Sequence, residues 1–282
     1  MNSARIRVMS CLLAATMLGG QPAASDCRHP GALGIHRTIE IDTAGGPLFG
    51  QQQYDDHDLL QSGEIVLTFD DGPWPVNTRM VLTALAQHCT KATFFPVGKH
   101  AVWHPEILRE VHATGHTIGS HTWSHPYLSK LAGNDAIEEI EKGFSVIKRA
   151  LDGTAPAPFF RFPFLDDPAS LIAYLGGRNI ATFSNDIDSL DYTMEEPDVV
   201  ISSVLNSLRS KHKGIILLHD YQGATARAAL KLLDGLKAGG YKVVHFVPKE
   251  PLVTIPAADV AAERELRGEG TERPTKGRAE GP

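Results

Sequence analysis

The chain has 282 residues, is about 42% hydrophobic, and carries 27 basic against 33 acidic side chains, a formal net charge of −6. That is enough sequence to bury a large core, and it suits one α/β barrel as well as two smaller domains. The mild acidic balance, with no basic stripe, argues against nucleic acid as a partner.

Residues 1–25 read as a signal peptide. Arg5 and Arg7 form a positive start, Val8 to Gly20 is mostly apolar but too short to span a bilayer, and Ala23, Ala24 and Ser25 offer small residues for cleavage. A short retained anchor is the alternative. Export to a periplasm or to the medium is the expectation, and the mature chain has no second long apolar segment to form a membrane span. Of the three cysteines, Cys11 leaves with the signal. Cys27 and Cys89 remain in an oxidising compartment, where a disulfide and two free thiols are both open.

Residues 26–62 are rich in Gly, His and Asp and read as an N-terminal extension lying over the domain. Within it Asp55 to Asp58, "DDHD", reads as a solvated loop. From residue 63 to 250 short apolar runs alternate with helical patterns. Strands are expected at Glu64–Phe69, Ala92–Val97, His116–Ser120, Pro158–Phe162, Ile180–Ser184, Gly214–Leu218 and Tyr241–Phe246. Helices are expected at Asn77–His88, Pro105–Thr114, Asn134–Leu151, Pro168–Gly177, Pro197–Ser210 and Ala224–Ala238. Asn77 and Asn134 are candidate N-caps, and Gly115, Gly153 and Gly239 candidate stops. Alternating strands and helices imply a parallel sheet covered by helices. About seven such units suit a closed or nearly closed α/β barrel. Residues 251–282 form a C-terminal tail. From Asp259 onward Glu, Arg, Gly and Pro dominate, and this part is expected to be disordered.

Barrels of this kind place their chemistry at the C-terminal ends of the strands, and titratable residues recur there. The first strand ends in "TFDDGPWP", with Asp70 and Asp71 side by side. Two adjacent carboxylates at the end of a buried strand need a cation nearby. The third strand leads into "SHTWSHP", with His121 and His125 four apart, a spacing that one helical turn or a tight bend aims at a single point. Two histidines and one carboxylate, with a position left open, make the donor set of a catalytic metal site. One of the paired acids is then a ligand and the other a base. "RFPF" adds Arg161, "NDIDSLDY" adds Asp186, Asp188 and Asp191, and "ILLHD" adds His219 and Asp220. Trp74, Trp123 and Tyr127 flank these motifs and suit either sugar stacking or packing. His116 and His245, on predicted strands, read as structural.

Taken in order, "TFDDGP", "SHTWSHP", "RFPF", "DSLDY" and "ILLHD" resemble the five motifs of the polysaccharide deacetylases, the NodB-homology domains of carbohydrate esterase family 4. The resemblance covers about residues 60 to 250. It implies a distorted (β/α) barrel of NodB-homology type. It also implies one divalent metal ion, zinc with cobalt or nickel as alternatives, bound by Asp71, His121 and His125. In that pattern Asp70 is the general base, Arg161 orients it, His219 is the general acid and Asp191 tunes the buried charges. Phe164 contributes a backbone N–H to the oxyanion, and Tyr192 and Leu217 wall the acetyl pocket. Phe164 and Tyr192 depart from the family's usual Tyr and Trp, which bears on substrate preference.

The resulting expectation is a secreted, metal-dependent hydrolase removing N-acetyl groups from an amino-sugar polymer: peptidoglycan, chitin oligomers or poly-N-acetylglucosamine. The rivals are an O-acetyl esterase on xylan or another acetylated glycan, and a non-catalytic glycan-binding protein. Sequence leaves the oligomeric state open.

Overall fold

The computed structural model describes residues 31–55 and 58–267. It contains ten strands among these residues: β1 (Arg37–Ile41), β2 (Leu48–Phe49), β3 (Glu64–Asp70), β4 (Thr93–Phe95), β5 (Thr117–Ile118), β6 (Phe159–Phe160), β7 (Ala181–Phe183), β8 (Ile187–Asp188), β9 (Gly214–His219) and β10 (Lys242–Pro248). The helices are α1 (Asn77–Gln87), α2 (Gly98–Trp103), α3 (Pro105–Ala113), α4 (Gly133–Ala150), α5 (Ala169–Gly177), α6 (Pro197–Lys211), α7 (Gly223–Ala238) and α8 (Pro256–Leu266).

All strand pairings are parallel. β3 lies at the centre, pairing with β9 from Ile65 to Asp70, with β4 from Thr68 to Asp70, and with β10 at Glu64 and Ile65. β8 extends the sheet beyond β9, β5 beyond β4, and β1 beyond β10. A second sheet, β2-β7-β6, is joined to the first by a parallel bridge between Ser120 and Phe160. The two sheets make a distorted (β/α) barrel.

Alternation along β3 explains both sides of this wall. Ile65, Leu67 and Phe69 pack outward with Val81 and Leu85 of α1 and Leu232 and Leu236 of α7. Val66 points inward, into a cluster with Phe95, Phe159, Phe183, Val244 and Phe246. Phe183 is the hub of that interior, with ring centroids 4.9 Å from Phe49, 4.9 Å from Phe159 and 5.7 Å from Phe95. Thr68 and Asp70 continue the inward face, so the last residue of β3 arrives at the mouth of the barrel.

Three expectations need correction. Residues 26–62 are more than a cover. β1 pairs with β10 from Arg37–Val244 to Ile41–Pro248, and β2 pairs with β7. Arg37 Nε and Nη2 grip the buried Glu64 carboxylate at 2.8 and 2.7 Å. The C-terminal tail is not disordered throughout, because α8 lies within it. Acids of this segment pair with bases of α4: Glu265 with Lys142 at 2.5 Å, Asp259 with Lys148 at 3.2 Å, and Glu263 with Arg149. Ala262 is fully buried against Trp123 and Val146. Finally, neither asparagine caps a helix. Asn77 is already the first residue of α1 and donates through its side chain to the Tyr221 carbonyl (2.6 Å), while Asn134 lies inside α4. Residues 1–25, where a signal peptide is expected, and residues 268–282 lie outside the described residues, as does part of "DDHD"; of that stretch Asp58 pairs with Lys213. Cys89 is disulfide-bonded, and Cys27 also lies outside the described residues.

Candidate active site

Asp70 ends β3 on the inward face, and Arg161, immediately after β6, meets it there. Arg161 is fully buried. Its Nη1 donates to Asp70 Oδ1 (2.7 Å) and Thr68 Oγ1 (2.8 Å), its Nη2 to the Ser184 carbonyl (2.8 Å) and its Nε to the Phe183 carbonyl (3.3 Å). The planar fork is thereby held on four sides, which a lysine could not reproduce. Burial pushes the Asp70 carboxyl above its ordinary range, and the Arg161 charge pulls the other way.

Asp71 leaves the strand in the left-handed region, with φ at 73°. Its side chain turns toward the loop after β5. Asp71 Oδ1 lies 3.5 Å from His121 Nε2 and 3.4 Å from His125 Nε2. No helix brings the two histidines together. The loop bends through left-handed Thr122 and His125, and Thr122 Oγ1 accepts the His125 amide at 2.9 Å. Three donor atoms of Asp71, His121 and His125 lie within 4.8 Å of one another. Burial holds both imidazoles down to about 3, so each keeps a lone pair. His121 Nδ1 donates to the Arg161 carbonyl (2.7 Å), which fixes its tautomer and leaves Nε2 facing Asp71. Asp71 Oδ1 is buried and has no hydrogen-bond partner. An unpaired buried carboxylate oxygen between two neutral imidazoles is a site that fits a divalent cation.

Across the cleft, His219 ends β9. Its Nδ1 donates to Asp191 Oδ1 (2.6 Å) and its amide to Asp191 Oδ2 (2.8 Å), while Thr225 Oγ1 also donates to Oδ2. Burial opposes the imidazolium, but Asp191, with Asp71 and Asp70 adding to the field, raises His219 to about 10. Asp191 in turn is held low against its burial by His219 and Thr225. The cleft between these groups has a volume of about 400 Å³. Phe164, Tyr192 and Leu217 all line it. Leu217 is 5% exposed, whereas Phe164 and Tyr192 are 50% and 52% exposed at the rim. Phe164 sits at φ 56° and stacks on Tyr127, with centroids 3.8 Å apart and planes 9° apart. Tyr192 and Tyr221 both lie nearly perpendicular to the His219 ring, with centroids at 5.7 and 6.1 Å.

All ten predicted site residues therefore converge on one cleft or directly behind it. Tyr127 shares the cleft, but Trp123 is buried in the core and Trp74 packs on His100 and His104. His116 and His245 are buried among structural partners, the Ala92 amide and Thr117. Asp186 accepts the Gln51 and Ile215 amides and serves the backbone, while Asp188 lines the cleft. Sequence reasoning missed Tyr221, which follows "ILLHD" directly, and His100, whose only signal was its place in a short helix after β4.

A carboxylate free to take a proton and an imidazolium able to give one, flanking a metal-binding set, equip the cleft for hydrolysis. The comparisons narrow this class. The family described as polysaccharide deacetylase matches residues 60–177. A chitin deacetylase of Colletotrichum lindemuthianum is 33% identical over 196 residues, covering 65% of this chain and 78% of that one. A chitooligosaccharide deacetylase of Sinorhizobium fredii is 35% identical over 198 residues, covering 66% and 90%. Among solved structures, a peptidoglycan deacetylase of Bdellovibrio bacteriovorus superposes with a TM-score of 0.69 at 32% identity, over 76% of this chain and 59% of that one. The chain belongs to the polysaccharide deacetylase family.

Proposed function

We propose that this protein is an exported, metal-dependent deacetylase that hydrolyses N-acetyl groups on an amino-sugar polymer. The observation that carries the reading is the unpartnered Asp71 oxygen between two neutral imidazoles, with Asp70 and His219 on either side. Relatives named as chitin, chitooligosaccharide and peptidoglycan deacetylases support the substrate class. The signal-like N-terminus supports export.

A divalent metal held by Asp71, His121 and His125, zinc above cobalt or nickel, would supply Lewis-acid activation of the attacking water and the acetyl carbonyl. Asp70 has Oδ1 occupied by Arg161 and Oδ2 facing the cleft, and it takes the proton from the water. Arg161 keeps that carboxylate in one orientation through the proton transfer. Leu217 and Tyr192 receive the acetyl methyl, and the Phe164 turn offers its backbone to the developing oxyanion. His219 has Nδ1 committed to Asp191, so its other nitrogen gives a proton to the departing amine. An amine is a poor leaving group until it is protonated, and the raised affinity of His219 keeps that proton available at neutral pH.

The test is acetate release by the purified protein, stripped of metal and then reloaded with zinc or cobalt. Substrates are N-acetylglucosamine oligomers, peptidoglycan and acetylated xylan, with Asp70→Asn as control. Metal-dependent release from an N-acetylated polymer, lost in the control, is the expected result. Release from xylan alone would favour the esterase reading. Metal binding without release from any of the three would favour a glycan-binding role.

A further inference from the structure

The fold buries two titratable side chains beside the site that the reaction scheme leaves unused, His100 and Asp220. Both grip the same peptide unit. His100 Nδ1 lies 2.5 Å from the Asp71 carbonyl oxygen and, as that oxygen can only accept, donates to it. One atom along, the Gly72 amide donates to Asp220 Oδ1 at 3.0 Å. Asp220 Oδ2 accepts from Thr78 Oγ1 at 2.5 Å, and Thr78 Oγ1 accepts the Trp74 amide at 2.8 Å. Both ends of the Asp71–Gly72 peptide plane are therefore pinned, by side chains from α2 and from the end of β9. A Cβ on Gly72 would fall 2.1 Å from Asp220 Oδ2, so a glycine is needed for this approach.

The pinned plane matters because Asp71 is a non-glycine residue at φ 73°, a conformation that persists only where its surroundings over-determine it. Relaxation of that φ would turn the Asp71 carbonyl and Cβ together about the N–Cα bond and carry the side chain away from His121 and His125, and a pinned carbonyl opposes it. We propose that His100 and Asp220, with Thr78 behind Asp220, are positioning residues that latch the ligand-bearing turn and so set the affinity for the metal. The latch rests on the reading of Asp71, His121 and His125 as metal ligands, but it does not depend on the substrate.

The experiment measures zinc and cobalt affinity of the full chain by competition with a chromogenic chelator, together with the melting temperature of the metal-free protein. His100→Phe fills the ring's space and removes the donor. His100→Asn removes the ring and keeps a donor near the position of Nδ1. Asp220→Asn keeps an acceptor for Gly72, removes the charge and forces Thr78 Oγ1 from donor to acceptor. The expected result is at least tenfold weaker metal binding in His100→Phe, affinity within threefold of wild type in His100→Asn, and an intermediate loss in Asp220→Asn. Affinity within twofold of wild type for both His100→Phe and Asp220→Asn would overturn the latch, whatever their melting temperatures. Equal losses in His100→Phe and His100→Asn would also overturn it, by assigning the effect to ring packing. If His100→Phe does not fold, Asp220→Asn decides the matter: affinity within twofold of wild type overturns the latch, and a larger loss supports it. A wild-type chain that binds no metal would sink the ligand assignment itself, and acetate release plays no part in any arm.

Discussion

Asp70 and Asp71 are adjacent, yet they serve different partners because strand alternation ends between them. Asp70 keeps the inward direction of Thr68 and reaches Arg161. Asp71 is turned by its positive φ toward the histidine loop. Substituting one should therefore spare the role of the other. Asp70→Asn is expected to bind metal as wild type does and to lose about 10²–10⁴-fold in kcat, the range for a missing general base; chelator competition and acetate release read the two separately. His219 makes a second prediction. Its affinity for a proton is raised, so the donating form persists through neutral pH and is depleted only as the pH rises towards about 10. The pH–rate profile should fall on that basic side. His219→Ala should remove the basic limb and slow amide substrates more than aryl ester substrates, because only the amine needs a proton to leave.

At the level of elements, strands and helices with a clear internal period were legible, and those held by distant partners were not. β3 reads as a buried strand from "EIVLTF" alone, and α4 from its apolar stripe. β1, "RTIEI", is half exposed, and what makes it a strand is pairing with β10 some two hundred residues away. Most of α8 falls in the stretch from Asp259 expected to be disordered for want of apolar surface to bury; its acids find partners on Lys142, Lys148 and Arg149. The candidate site was legible to the extent that its residues fall at strand ends in recognisable motifs. His100 was not, since nothing in its neighbours announces a bond to the Asp71 carbonyl. Two predictions follow from the long-range elements. Arg37 holds Glu64 down to about 2 against its burial. That pairing contributes fully above pH 4.5, and the contribution is lost as the pH falls from there towards 2. Glu64→Gln should cost about 2 kcal/mol at neutral pH, in the range for a hydrogen-bonded charged group, as read by urea unfolding. Ala262→Asp would place an unpaired carboxylate between Trp123 and Val146. It should destabilise the fold by about 2–4 kcal/mol, with a shift in tryptophan emission.

On the scale of the whole molecule, the fold buries several neutral histidines. Burial lowers His100 to about 4, His116 to about 3 and His245 to about 4. In the unfolded chain each takes up a proton near pH 6.5, so acid favours unfolding from that pH downward until the folded values are reached. Proton linkage sets the cost on the order of 2 kcal/mol for each such histidine at pH 5. The urea midpoint should therefore fall steeply between pH 7.5 and 5, a slope that His245→Gln would reduce.

The register of β1 against β10, from Arg37–Val244 to Ile41–Pro248, has a consequence in time. A chain made from its N-terminus extrudes β1 some two hundred residues before β10, its one strand partner among the described residues. Until about residue 248 has emerged, β1 has no described strand to pair with. Pairing of β1 is thus a late event in the making of the domain, whatever order the other strands follow.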